Sequence, residues 1–396
     1  MEIDYSVSKA ELKERADLLR SRMAEAGLDG LLLTTGDNLK YASGYPSPAR
    51  SGPRPFVFLL PLSGEPVLIV HAGRESEARR FAWASDIRTY YRLSHAPVEL
   101  ITTAISELGL ARGRIGIESG VEQCFDLPLI DFWALQAALP QALFVDSAAV
   151  LWGARMRKTT AEIARVRRAC AITSAAYAQC FASIRTGISE QEVAQVMKNA
   201  MLAQGAEDTW LLLTSGTGNY DLVSRGPLPR KLEQGDFLYI DCGCAVGGYW
   251  SDFDRVGVVG KPSVAQERAQ QAAEEVTRLG VEMVRPGAST QEIALRCAAA
   301  LKGFPYPVTS DIGTLAARIG HGIGISALEP PNIADYEETI LEPGMIITIE
   351  PGVATEFGVF HVEQDVLVTP AGHEVLSTAP TGIWQIEGEN VDDSLA

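Results

Sequence analysis

"DCGCAVGGYWSDFDR", residues 241–255, holds three aspartates, two cysteines and three glycines. It decides the fold because one apolar strand ends in it and another begins. "FLYIDCG" (237–243) is apolar up to Asp241, and a carboxylate ending a buried strand must be paired, hydrogen-bonded or metal-bound. The glycines of "AVGG" supply a turn, and "YWSDFDRVGVV" (249–259) returns as a second strand. Asp252 and Asp254 share a face of that strand, since strand side chains repeat every two residues. A hairpin folding at the glycines is expected to bring Asp241 and Asp252 side by side. Neighbouring carboxylates repel unless a cation lies between them or one is protonated. Cys242 and Cys244 read as small strand residues.

Further donors lie downstream. "RIGHGIG" (318–324) sets His321 among glycines, where little bulk blocks an approach. "MIITIEPGV" (345–353) is a β-branched strand ending at Glu350. "VFHVEQDVLVT" (359–369) reads as one more strand, with His361 and Glu363 on one face. Asp241, Asp252, His321, Glu350 and Glu363 together would make an oxygen-rich pocket. Four carboxylates and one imidazole suit two divalent ions of hard or borderline character, such as Mn, Fe, Co or Zn. Taken singly, each residue has a plainer reading as a turn former, a solvated strand end or a hydrogen-bonded loop histidine.

The first 150 or so residues alternate helical and strand patterns. Ser8 is placed to cap a helix over "KAELKERADLLRSRMAEAGL", followed by strands in "DGLLLTT", "FVFLLPL" and "PVLIV". Such alternation predicts an α/β layer domain. Beyond Leu151, "GARMRKTTAEIARVRRACAITSAAYAQCFASI" (153–184) reads as one long amphipathic helix opening a second domain. Ser189 with Glu192, and Ser289 with Glu292, repeat a capping-box spacing and hint at an internal duplication. The loop "GYPSPARSGPRPF" (44–56) places Arg50 and Arg54 among prolines and glycines, where it could close over a site or stay solvated. The tail "GENVDDSLA" is acidic.

Bulk composition excludes several classes. The chain of 396 residues has 34 basic against 50 acidic residues, a formal charge of −16 that disfavours nucleic acid. No run of apolar residues is long enough for a membrane span. The polar N-terminus is no secretory signal, and the six cysteines show no zinc spacing and no disulfide framework. A cytoplasmic location is expected.

The order and spacing of these motifs resemble the M24 "pita-bread" metallopeptidases: aminopeptidase P, prolidase, methionine aminopeptidase and the creatinases. The signatures are "YIDCGCAVGGYWSDFDR", "GHGIG…EPP", "LEPGMIITIEPGV" and "HVEQDVLVT", and the likeness covers essentially the whole chain. It implies an α/β creatinase-type domain over 1–150 and an α+β pita-bread catalytic domain over 151–396. It also implies a complete ligand set for two divalent ions. Asp241 would chelate one ion, and Asp252 and Glu363 would bridge both. His321 and Glu350 would bind the second, with Glu350 also shuttling the proton. A homodimer acting on a short peptide or other small molecule is implied too, as an Xaa-Pro dipeptidase or aminopeptidase would act.

Some positions depart from the family pattern. The family's accessory histidines, seventeen residues before the first ligand and seven after the ligand histidine, are Ser224 and Leu328 here. Asp254 stands where the family has Thr, and His361 where it commonly has Arg. Asp254 reads either as a partner of Arg255 or a backbone cap, or as a carboxylate orienting a ligand or meeting a cationic substrate. His361 reads either as an acid/base group or as a hydrogen-bonded strand residue. Ser224, Leu328, Asp254 and Arg54 are therefore candidate substrate contacts, and Glu350 and His361 candidate catalytic groups. Two alternatives to peptide cleavage follow: a creatinase-like hydrolase or lyase on a small charged metabolite, and a pseudo-enzyme that binds a partner.

Overall fold

The computed structural model describes residues 7–46 and 54–387. Arg50 and the acidic tail lie outside the described residues. The chain divides into two units between Arg155 and Met156.

The first unit is an α/β layer. Its strands are β1 (Gly30–Leu33), β2 (Val57–Pro61), β3 (Val67–His71), β4 (Asp86–Tyr90), β5 (Arg114–Ile117) and β6 (Leu143–Asp146). They form one mixed sheet in the order β4-β3-β2-β1-β5-β6. The inner strands β1 and β2 are buried along their whole length, which is why they read as continuous apolar runs. Ser8 caps the helix Lys9–Glu25, its hydroxyl accepting from Glu11 N–H. At the end of β5, Glu118 is buried and its carboxylate is saturated. Thr34 N–H (2.6 Å), Thr34 Oγ1 (2.9 Å), Thr35 N–H (3.1 Å), Thr35 Oγ1 and Asn38 Nδ2 (2.7 Å) all donate to it.

Among the described residues the second unit has three sheets. β7 (Asp208–Ser215), β8 (Phe237–Val246), β9 (Tyr249–Trp250) and β10 (Phe253–Val259) join β19 (Trp384–Ile386) in the first, ordered β19-β10-β8-β7 with β9 on β8. β11 (Ser310–Asp311), β15 (Gly352–Thr355) and β16 (Gly358–His361) form the second. β12 (His321–Gly322), β13 (Glu329–Asn332), β14 (Ile346–Ile349), β17 (Gln364–Thr369) and β18 (Gly372–Val375) form the third. Among the described residues no helix is long and apolar enough to cross a membrane.

Two sequence expectations change here. The run 153–184 is not one helix: a helix ends at Arg155 and the next spans Thr160–Ser183. Thr159 caps it in a full capping box with Glu162, while Lys158 N–H goes to Gly344 O, so the residues between leave the helical path. Likewise "VFHVEQDVLVT" is not one strand. It crosses from β16 to β17, which belong to different sheets, and Val362 and Glu363 lie at the crossing.

The hint of duplication acquires a structural basis. Helices Thr160–Ser183 and Glu190–Ala203 are matched by Val264–Met283 and Thr290–Leu301. Gly187 (φ 84°) and Gly287 (φ 82°) occupy the same left-handed turn two residues before the capping serines Ser189 and Ser289. Only the first cap is reciprocated by its glutamate.

Candidate metal centre

The hairpin has one register throughout, with Phe253 opposite Cys242, Asp254 opposite Asp241, and Trp250 opposite Ala245. Asp254, and not Asp252, is thus the direct neighbour of Asp241. Asp252 lies two residues along the same face, where the ladder is interrupted between β9 and β10. A Cβ on Gly243 would meet Ser251 O at 1.8 Å, so the close approach of the returning strand depends on this glycine. The other face of β8 is packed: Cys244 Sγ donates to Ala169 O, and Cys242 Sγ to Tyr177 Oη. Both cysteines are buried strand residues on that opposite face.

The other ligands of the expected set also stand where strands are interrupted. His321 is at a register shift between β12 and β13. Glu350 lies just past β14, where the chain crosses to β15, and Glu363 at the return crossing. Asp252, His321 and Glu363 are buried and offer ligand atoms all within 4.8 Å of one another. His321 Nε2 is 3.6 Å from Asp252 Oδ2 and 3.5 Å from Glu350 Oε1. His321 Nδ1 lies 3.0 Å from Gly322 O, which can only accept, so Nδ1 donates there and Nε2 is turned toward the carboxylates.

Burial first, then mutual repulsion, holds the Asp241, Asp252 and Glu363 carboxyls well above their usual range. Among the described residues, the buried oxygens Asp241 Oδ1, Asp254 Oδ2 and Glu363 Oε1 have no hydrogen-bond partner. Clustered acceptors without donors are what a bound cation satisfies, and the donor set fits divalent ions. Asp252, His321 and Glu363, with Glu350 beside His321, are the expected ligands that the structure brings within reach of a shared ion.

Asp254 does not pair its carboxylate with Arg255. Arg255 is fully buried and donates to the backbone carbonyls of Asp254, Glu363 (2.9 Å) and Ala379 (2.9 Å), tying β10 to the Glu363 crossing. The Asp254 carboxylate instead accepts from His361 Nδ1 at 2.8 Å. His361 Nε2 then faces Glu350 Oε2 at 3.9 Å. Burial alone would lower the His361 pKa, but Asp254, with Glu350 and Asp241, outweighs it and raises it to about 9. Tyr239 packs edge-on to the ring at 5.7 Å, and Gly352 lies opposite His361, where a Cβ would meet the imidazole at 2.1 Å.

The remaining candidates lie apart in character. Ser224 is exposed in the loop between β7 and β8, lining a surface cavity of ≈ 400 Å³ with Leu222, Ile312 and Leu315. Its neighbour Arg225 is clamped by buried Glu190 through bonds of 2.7 and 2.9 Å. Leu328 is 55% exposed, next to Glu329, whose carboxylate forms a buried pair with Lys158 at 2.5 Å. Arg54 is exposed in the first unit, ahead of β2. Two groups were not singled out from the sequence. Asp365, two residues past Glu363, holds Asp252 N–H at 3.0 Å and accepts from Cys170 Sγ at 3.1 Å. Trp210 in β7 faces the same side of the sheet as Asp241. The period-two pattern marks Asp365; Trp210 emerges only from the β7–β8 register.

Comparison with known proteins identifies the family and the fold. Residues 164–370 match the pattern of "Metallopeptidase family M24", and residues 15–157 that of "Creatinase/Prolidase N-terminal domain". The chain is 26% identical to the peptidase YqhT of Bacillus subtilis over 370 residues, 92% of this chain and 98% of the relative. It is 27% identical to a creatinase of a Bacillus species over 397 residues, 95% and 92% of the two chains. The Xaa-Pro dipeptidase structure from Bacillus anthracis superposes with a TM-score of 0.80 at 26% identity, covering 95% of this chain and all of that one. A creatinase-type first domain, a pita-bread second domain and a buried carboxylate–imidazole cluster meet in one chain, which belongs to metallopeptidase family M24.

Proposed function

We propose that this protein is a dinuclear metal-dependent hydrolase that cleaves an amide-like C–N bond in a small substrate, in the manner of an Xaa-Pro dipeptidase. The observation that carries the reading is the buried group of Asp252, His321 and Glu363, together with buried oxygens on Asp241, Asp254 and Glu363 that have no hydrogen-bond partner among the described residues. Divalent ions bound there supply Lewis-acid polarisation and a lowered pKa for water. The chain's own residues do the rest. Glu350 is less buried than the other carboxylates (20% exposed), so it can reach both the cluster and an incoming substrate to take and return a proton. Asp254 holds His361 with its Nε2 toward Glu350, which steadies that carboxylate. Asp365 and Arg255 fix the backbone on either side of the ligands.

A second reading, hydrolysis or lysis of a small charged metabolite, is favoured by one specific feature. Ser224 and Leu328 supply neither imidazole that the family's peptidases use on the substrate amide, and loss of one such donor costs about 10²–10³ in rate. Metal analysis coupled to turnover decides between them. Purified protein is assayed with and without chelator, on proline dipeptides and on a metabolite panel including creatine. Proline-dipeptide cleavage abolished by chelator and restored by Mn or Co is the expected result. Protein that retains no divalent ion and gains nothing from Mn or Co would sink the metal-dependent reading, and robust turnover of proline peptides would rule out the second.

A further inference from the structure

Trp210 carries the inference. It is the cross-strand partner of Gly243, and the hairpin register sets Gly243 opposite Asp252. Trp210 and Gly243 thus form one row of the sheet, which the register extends toward Asp252 at the break between β9 and β10. They share the face of Asp241 and Asp254, since the opposite face is packed on the helix Thr160–Ser183. Trp210 Nε1 would lie 2.7 Å from a Cβ on Gly243, so the indole edge crosses above the glycine on the ligand side. That nitrogen is buried and has no hydrogen-bond partner among the described residues. An indole N–H can only donate. A buried donor left without an acceptor is costly enough that native folds rarely carry one.

We propose that Trp210 is a substrate-binding residue whose indole N–H donates to an acceptor oxygen, a carbonyl or carboxylate, of the small substrate bound beside Asp252. The proposal rests on the hydrolase reading for what that oxygen belongs to. Carboxylates suit cations and donors, so an unpaired donor in the same row offers an acceptor oxygen of the substrate a partner that they do not. The glycine at 243 is what lets the indole lie low enough to take part, so a recognition group and the hairpin's close approach share one requirement.

The test uses the whole chain labelled with ¹⁵N-tryptophan, whose six tryptophans give six indole signals, with Trp210 assigned through Trp210→Phe. Mn²⁺ is expected to broaden the Trp210 signal, and an unaffected signal overturns the placement. In diamagnetic protein, L-alanyl-L-proline is titrated to saturation, followed by calorimetry. The Trp210 signal is expected to move downfield. Trp210→Phe, which keeps the aromatic packing, is expected to raise KM on the order of tenfold with kcat and metal content little changed. A static Trp210 signal at saturation, or an unchanged KM, overturns the proposal while turnover keeps the peptidase reading. Binding with a shifted indole signal but no cleavage overturns the peptidase reading and supports the role of Trp210.

Discussion

Two buried carboxylate regions of this molecule are treated in opposite ways. Around Glu118 the chain spends two threonines, an asparagine and two backbone N–H groups to satisfy a single carboxylate. Around Asp241, Asp252 and Glu363 it gathers several carboxylates and leaves oxygens bare. Burial raises the pKa of both, so desolvation is not the difference. The difference lies in the donors. The same chain that builds a complete donor shell for a structural carboxylate omits one where charge is densest, and a cation is the natural complement of that omission.

The comparison breaks most visibly at Glu363. Glu363→Gln keeps the shape but removes a charge from the cluster, and should lower turnover by about 10³-fold, roughly 4 kcal/mol, together with bound metal. Steady-state kinetics with elemental analysis reads both, and full activity with full metal would dissolve the contrast. Glu118→Ala should act on the fold alone, costing roughly 2–4 kcal/mol because it strands five donors, with metal content per folded molecule unchanged. Denaturant melts of that variant measure the cost. The smallest effect sharpens the sign. Metal-free folded protein keeps protons on Asp241, Asp252 and Glu363 that the unfolded chain releases at about pH 4. The native state then binds more protons, so stability is greatest below that range and falls as pH rises through the folded values. The melting temperature of metal-free protein should drop by a few degrees, roughly, from pH 5 to 8. Asp252→Asn should flatten that slope, and a metal-free melting temperature that rises with pH would contradict it.

Much of this was legible in the residues. Asp241 and Glu350 stood out as candidates because each ends an apolar run, where a charge is conspicuous, and His321 because it stands among glycines; Asp252 and Glu363 were read from the strand period and the family resemblance. The alternation before residue 150 marked the layered first domain. The rest depends on contacts that no local pattern encodes. Asp254 meets His361 across 107 positions, and Asp252 N–H meets Asp365 across 113. The crossing at Val362–Glu363 was hidden because a strand passing between sheets keeps its β-branched, alternating texture. The helix break before Thr160 was masked by helix-forming residues on both sides. Its cue, Thr159 three residues before Glu162, was present in "TTAE".

Gly352 gives the "EPG" motif a meaning that turn propensity does not. Its backbone is not left-handed, so no torsional demand calls for glycine here. What the position requires is absence of volume: the imidazole of His361 rests in the space a methyl group would fill. The strand after Glu350 therefore acts as a mould for a side chain on its neighbour, and the room for an imidazole at residue 361 is set from residue 352. Chemistry at the histidine can be evicted sterically from across the sheet, with its own side chain, its aspartate and every metal ligand left in place.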